Sequence, residues 1–513
     1  MINQEIENHG YLRWVLFFTF LFFMILDRII TLIHFGFVYT DIDQMVMWNG
    51  AFDYAKGIFH EPFFYGQAFN YMLEALLAAP LLWMHVPIHI AMPVSTSLIS
   101  LLPFIVLAIL FFKKRLYFWA FLCLAFPVML PLQYNFLTTI SRGFIQSHFF
   151  VPILFIPLFN PKSKKNVTIL FIASALSFIM NQSSVLIILP IALYVYSFHV
   201  KSPSFYFKSL LVIPFFVADY FAKYYYVIHP EKVLHQMVGL ELNKQTFLNC
   251  IKNSDIFENL FPFFSGGGMA YLFLFILLAI FAFVKSLKWE FLFVFSFLII
   301  LFITFAIPKV QELIPNTGIF FTSNRFYLFL PLFLILASYL IFKNINFKRI
   351  PVFIILLLCV ISFVIKNHNI DAVVQDITSH TIFPVAKNQD LIKRANELKL
   401  VVERNNVDLV VHCTHPWNSI FDAYAFNPIT QSLSPKKEKT ISVMSEGDRR
   451  TWLYPNSVHC KQILLSGITV EMALLTPFEY EIIDQNSILI KNNNLPMADL
   501  FGKLKLNYGN DNP

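Results

Sequence analysis

Charge is scarce in this chain of 513 residues: Asp, Glu, Lys and Arg make up 13% of it, against roughly 25% in soluble proteins. With 57% hydrophobic residues, that shortage excludes an ordinary water-soluble globule. Cysteine is equally thin, and five residues make no disulfide framework. Cys123 and Cys359 fall in apolar runs, where a thiol packs as a small hydrophobe, while Cys413 and Cys460 fall in the C-terminal region, where an oxidising compartment would permit a disulfide between them without demanding one. No internal repeat is visible, so the inverted-repeat signature of many transporters is missing. The first apolar segment is too long for a signal peptide and lacks a small-residue cleavage site, so it is read as a span. A net charge of +7 implies no nucleic-acid partner, because the basic residues sit mostly in short connections that fix membrane topology.

What is present is apolar length. Runs of about 16–25 residues recur over the first 366 positions, each long enough for a transmembrane helix. About eleven spans follow by this length rule, near 12–37, 88–112, 116–132, 144–160, 167–181, 184–199, 207–228, 268–285, 289–307, 326–342 and 350–366. Lys and Arg concentrate in every second connection: Arg13, then Lys113-Lys114-Arg115, Lys162, Lys164 and Lys165, Lys201 and Lys208, Lys285 and Lys288, and Lys343, Lys348 and Arg349. This bias puts the N-terminus in the cytoplasm. The expected layout is a polytopic membrane domain over 1–366, with a large first outer loop at 38–87, and an extracytoplasmic domain over 367–513.

The C-terminal part reads as a small α/β or α+β domain. Residues 388–402 show helical spacing, with Leu391, Ala395, Leu398 and Val402 on one face. Val407 to His412 reads as a buried strand and Tyr480 to Ile490 as a strand or hairpin. Asp448-Arg449-Arg450 reads as a charged turn, and Trp417 and Trp452 as packing residues.

The acidic residues of the first outer loop are the clearest chemical signal. Tyr39-Thr40-Asp41-Ile42-Asp43-Gln44 is followed by Glu61-Pro62-Phe63-Phe64-Tyr65-Gly66-Gln67 and Leu73-Glu74-Ala75. A carboxylate at the mouth of a membrane cavity can accept a proton from a hydroxyl or hold a cation. Asp41 and Asp43 lie about 200° apart on a helix, so one cavity faces one of them unless the segment is extended. Each has a plain alternative as a helix cap. Glu74 lies in a greasy stretch, 69–84, of the kind that rests on a membrane surface. Glu61 and Asp53 read as solvated, and Tyr65 and Gln67 as packing residues or sugar hydrogen-bond partners.

Over about 40 residues this loop resembles the first extracytoplasmic loop of bacterial GT-C-type membrane glycosyltransferases related to dolichyl-phosphate-mannose protein mannosyltransferases. The resemblance rests on Asp41-Ile42-Asp43, Phe63-Phe64-Tyr65-Gly66-Gln67 and Leu73-Glu74-Ala75. Many relatives carry adjacent Asp-Glu, whereas here Gln44 follows Asp43. The resemblance implies a bacterial inner-membrane enzyme that moves a sugar, with inversion, from a polyprenyl-phosphate donor to a glycan, lipid or protein acceptor. Asp43, Asp41 and Glu74 stand as alternatives for its base, Asp43 first. It requires no organic cofactor and leaves a divalent metal ion open; His229, Glu231 and His235 match no strong ligand motif.

A departing lipid phosphate calls for cations at the membrane surface. Arg325, in Ser323-Asn324-Arg325-Phe326-Tyr327, can grip phosphate oxygens with its fork or act as a snorkelling anchor. Arg142 in Ser141-Arg142-Gly143, and Lys223 beside three tyrosines, are weaker versions of the same pattern. The 266–268 glycine run reads as a flexible connection. Asp27 and Arg28, inside the first span, need separate partners, since neighbours in sequence do not face each other on a helix. A transporter, a polysaccharide polymerase, ligase or flippase component, or a silent GT-C relative are the competing readings. The C-terminal domain is expected to select acceptor while chemistry stays in the membrane domain.

Overall fold

The computed structural model describes residues 10–233, 241–252, 257, 260–261, 269–311, 322–343, 352–379, 385–412, 416–430, 440–443, 460–467, 472–491 and 495–505. The glycine run at 266–268, His235, Cys413, the charged turn at 448–450 and Trp452 lie outside these residues, as does the side chain of Trp417. The chain divides into two compact units. The first comprises Met1–Gly36, Thr96–Tyr220 and Val238–Ile382; the second comprises Phe37–Ser95, Phe221–Met237 and Phe383–Pro513.

Helices apolar on every face need lipid or protein around them. Among the described residues, five are long and apolar enough to cross a membrane: Tyr11–Gly36, Ile88–Lys113, Pro203–Ile228, Lys288–Phe305 and Val352–Ser379. The chain is a helical membrane protein. None of the apolar window of Pro203–Ile228 is buried, and Phe207, Tyr220 and Val227 stand out from it as lipid-facing side chains would.

The other expected spans hold shorter helices. Tyr117–Met129 and Leu330–Phe342 have 13 residues each and rise about 20 Å, against a hydrocarbon core of about 30 Å. The stretch expected to cross at 144–160 is broken. Gly143 turns the chain with φ 80°, Gln146–Phe149 is a 3-10 turn, and a nine-residue helix begins at Val151 with Pro152 in its first turn, where a missing N–H costs nothing. Aromatic stacking ties three of the helices of the first unit together. The Phe333 ring lies 3.8 Å from Phe297 and 5.5 Å from Phe275.

The second unit does not begin at 367. Val352–Ser379 continues as one helix through the expected boundary, and the acidic loop belongs to the same compact unit as the C-terminal residues. Strand β1 (Tyr39–Thr40) pairs antiparallel with β2 (Ala386–Lys387). The main sheet has the order β4-β3-β5-β7-β6, from β3 (Leu409–His412), β4 (Thr440–Val443), β5 (Gln462–Ser466), β6 (Glu479–Asp484) and β7 (Ser487–Lys491). β3 runs parallel to β4 and β5, whereas β7 runs antiparallel to β5 and β6.

Side chains alternate across this sheet. Leu409, Val411, Ile463, Leu465 and Ile490 enter one core cluster, and Val410, Leu464 and Leu489 enter the other. The second cluster is completed by helices. Asn388–Arg404, matching the helix expected at 388–402, buries Leu391, Ala395 and Val402 there. Pro416–Thr430 adds Ile420 and Tyr424, Ile42–Ala55 adds Met45, Trp48 and Ala51, and Leu73–Trp83 adds Ala75, Ala78 and Leu82. Asn49 Nδ2 donates to Tyr424 O at 2.9 Å. The greasy stretch 69–84 therefore buries one face in protein, while Leu76 and Trp83 remain exposed.

Candidate functional site

The acidic residues sit at the start of Ile42–Ala55. Asp41 has extended backbone and caps that helix, its Oδ1 accepting from the Gln44 amide at 2.8 Å. Its structural alternative is thus realised. Gln44, where relatives of the resembled family carry Glu, is buried and donates through Nε2 to Thr40 Oγ1 at 3.0 Å. Asp43 occupies the first turn and is half-buried. Both carboxylates stand at the N-terminal end of that helix.

Two carboxylates expected in solvent are not there. Glu61 is 1% exposed and is hydrogen-bonded by Tyr226, whose hydroxyl also accepts from the Phe63 amide at 3.1 Å. Asp53 accepts from the Tyr65 hydroxyl at 2.8 Å, with His60 Nε2 at 3.4 Å. Burying a carboxylate demands such donors. Burial first, and then the charge of Asp53, push the Tyr65 phenol well above its ordinary pKa, so it stays protonated and donating. Burial beside Asp53 and Glu61 likewise pushes Tyr54 up to about 12. Tyr65 therefore serves Asp53. Gln67 accepts from Asn70 Nδ2 at 3.4 Å and donates its amide to Phe64 O at 2.9 Å.

Glu74 is fully buried in the first turn of Leu73–Trp83. Lys223 is exposed on the helix Ile213–Ile228. His229 Nδ1 lies 3.2 Å from Glu231 Oε1. Among the described residues no group of three or more His, Cys, Asp or Glu is placed to hold a metal ion.

Lys223 belongs to the second unit, whereas the other two cationic candidates, Arg142 and Arg325, belong to the first and meet at one aromatic ring. The Arg325 guanidinium carbon stands 4.4 Å from the Phe144 centroid and that of Arg142 stands 5.6 Å from it. Both distances are within cation–π range. Asn181 Nδ2 donates to Gly143 O at 3.3 Å and Phe144 O at 3.0 Å, fixing the ring's backbone. His148 stacks on Phe329 at 4.2 Å and 14°, joining the two arginine segments a second time. Ser147 Oγ and His148 Nδ1 are buried without a partner among the described residues. Such atoms in a close-packed interior ask for a water or a ligand.

The helices Ala270–Val284 and Leu330–Phe342 line an open apolar groove of about 560 Å³, with Leu274, Leu277, Leu278, Phe281, Leu334 and Phe342 among its residues. The arrangement can neutralise an anionic head group and accommodate an apolar chain. Sequence reasoning found both arginines but missed Phe144, His148 and Asn181. An aromatic and two ordinary polar residues carry no functional signature until the chain folds. No protein-family model matches this chain, and no curated protein or solved structure matches it either.

Proposed function

We propose that the chain is a membrane glycosyltransferase that moves a sugar from a polyprenyl-phosphate donor to an acceptor hydroxyl on the extracytoplasmic face. The observation that carries this reading is the pair Arg142 and Arg325 on one ring, Phe144, in a unit of apolar helices. Two guanidiniums on one ring suit a phosphate bearing an apolar tail, and the apolar groove lined by Leu334 in the same unit suits such a tail. On this reading the shorter apolar helices complete a GT-C-like set of about eleven crossings. The alternation of basic connections keeps the N-terminus cytoplasmic, in a bacterial inner membrane.

In the reaction, the acceptor oxygen attacks the anomeric carbon from the face opposite the phosphate. The bond from that carbon to the phosphate oxygen breaks, and its electron pair leaves with the lipid phosphate, whose charge Arg142 and Arg325 offset. The acceptor proton passes to a carboxylate. Asp43 fits that role best: Asp41 Oδ1 is committed to the Gln44 amide and Glu74 is fully buried, whereas Asp43 is half-buried. The second unit is assigned to acceptor selection.

A transport or flippase role draws on buried charges inside the spans, Asp27 and Lys366 above all. One assay separates the two readings. The purified full chain in lipid nanodiscs is offered a panel of polyprenyl-phosphate sugars, with release of the lipid phosphate measured. Sugar transfer or donor hydrolysis with at least one donor supports the enzyme, with loss of that activity in Arg325→Ala. Silence across the panel sinks it.

A further inference from the structure

The first span carries two ionisable residues that the proposed chemistry does not use, and both are engaged inside the first unit. Asp27 Oδ2 accepts from Lys366 Nζ at 2.7 Å and from Asn135 Nδ2 at 2.8 Å. Lys366 Nζ also donates to Val128 O at 3.2 Å. Arg28 Nη1 donates to Asn135 O at 3.2 Å and to Thr138 Oγ1 at 2.9 Å. Asp27, Arg28, Asn135, Thr138 and Lys366 are all buried.

The placement of these bonds along the chain is informative. Val128 lies in the last turn of Tyr117–Met129, and Asn135 in the six-residue helix Leu132–Leu137 that follows. Thr138 is the C-cap of that short helix. The carbonyls at helix C-termini lack intrahelical partners and attract cations. Lys366 takes one end of the 128–138 segment and Arg28 the other, with Asp27 joining the two through Asn135. Four residues beyond Thr138 is Arg142, reached through Ser141, whose hydroxyl bonds Thr96.

We infer that Asp27, Arg28 and Lys366 are positioning residues for Arg142, clamping the segment that presents its guanidinium to Phe144. Packing alone is a poor reason for three buried charges, because apolar residues of similar volume often stabilise a site equally well or better. Fixed geometry is what a hydrogen-bonded charge network adds.

The test has two readouts on the full chain in nanodiscs. The first is hydrogen exchange of backbone amides at 138–146, which needs no ligand. Arg28→Lys keeps the charge but loses the planar fork, and Thr138→Val removes one acceptor without touching any charge. Each should speed exchange at 138–146 at least about tenfold, because a hydrogen bond to a charged group is lost, and leave 270–284 unchanged. Unchanged exchange at 138–146 in both variants overturns the inference.

The second readout rests on the phosphate reading of Arg142 and uses farnesyl phosphate as the probe. Arg28→Lys should weaken its binding about tenfold when Arg142 is present and add nothing in an Arg142→Ala background. Additive losses would mean that Arg28 does not act through Arg142, which also overturns the inference. Wild-type protein that ignores farnesyl phosphate, yet shows the expected exchange, refutes the phosphate reading and supports the positioning of Arg142.

Discussion

Asp43 and Asp41 stand two positions apart and receive different tasks from the same helix end. Asp41 is buried and spends one oxygen on the Gln44 amide, whereas Asp43 is left half-buried in the first turn. Asp43→Asn is expected to lower turnover about 10²-fold or more with donor binding nearly intact, read as a fall in kcat at constant donor KM. Unchanged turnover would hand the role to Asp41 or Glu74. Asp41 was legible in the sequence as a helix cap, because Asp is a preferred residue there. The burial of Glu61 and the half-burial of Asp53 were not. Their donors, Tyr226 and Tyr65, are ordinary aromatics at sequence distances that no local pattern connects.

His412 gives a second expectation at this scale. It ends β3 fully buried, with Nε2 lacking a partner among the described residues. Burial, opposed by Asp422 and assisted by Arg394, lowers its pKa to about 4. The folded value lies below the unfolded one, near 6.5. As pH falls, the unfolded chain therefore takes up a proton before the folded chain does. Stability contributed by the neutral ring is complete above about 6.5 and drains away towards pH 4, by roughly 3 kcal/mol. Thermal melts from pH 7 to 4 should show that loss, and His412→Leu should flatten the slope. An equally steep slope in the Leu variant would assign it to other groups.

Among the elements, helices expected from apolar length largely exist, but length was overestimated wherever a break hides inside an apolar run. Gly143, the turn at Gln146–Phe149 and Pro152 divide what reads as one span at 144–160. Hydropathy is blind to such punctuation because every piece is greasy. Gly50 sits where Ile42–Ala55 packs on Leu73–Trp83: an added Cβ would displace the flexible Met72 tip and meet Ala75 Cβ at 3.6 Å, so a larger side chain there must push on the second helix. Gly50→Leu should cost about 1–3 kcal/mol by overpacking, seen as a lower melting temperature. Gly502→Ala, with nothing within 4 Å of its Cβ, should be neutral or gain up to about 1 kcal/mol of helix propensity. Equal responses would show that the helix pair does not depend on close approach.

At the scale of the molecule, composition alone identifies a helical membrane protein, and the partition of the chain is what composition concealed. A change of polarity near 366 suggested that everything beyond it forms a domain of its own. The second unit instead recruits 37–95, because the helix Pro416–Thr430 packs on Ile42–Ala55, and Met45, Trp48 and Ala51 share one apolar core with Leu391, Ala395 and Val402. The isolated segment 383–513 is therefore expected to remain partly unfolded and protease-sensitive, and to gain helix signal in circular dichroism when 37–95 is co-expressed with it. A cooperative, protease-resistant fold from 383–513 alone would contradict this.

The same partition sets a clock. Asn49 and Tyr424, bonded in the folded unit, are 375 residues apart. Ribosomes add about 5–20 residues per second, so roughly 20–75 s separate the synthesis of the two partners at that pace. For that interval the nascent Ile42–Ala55 helix lacks the apolar cover that Pro416–Thr430 later supplies. Truncation by premature termination before Pro416 would leave that surface permanently bare, turning an incomplete chain into a substrate for membrane quality control.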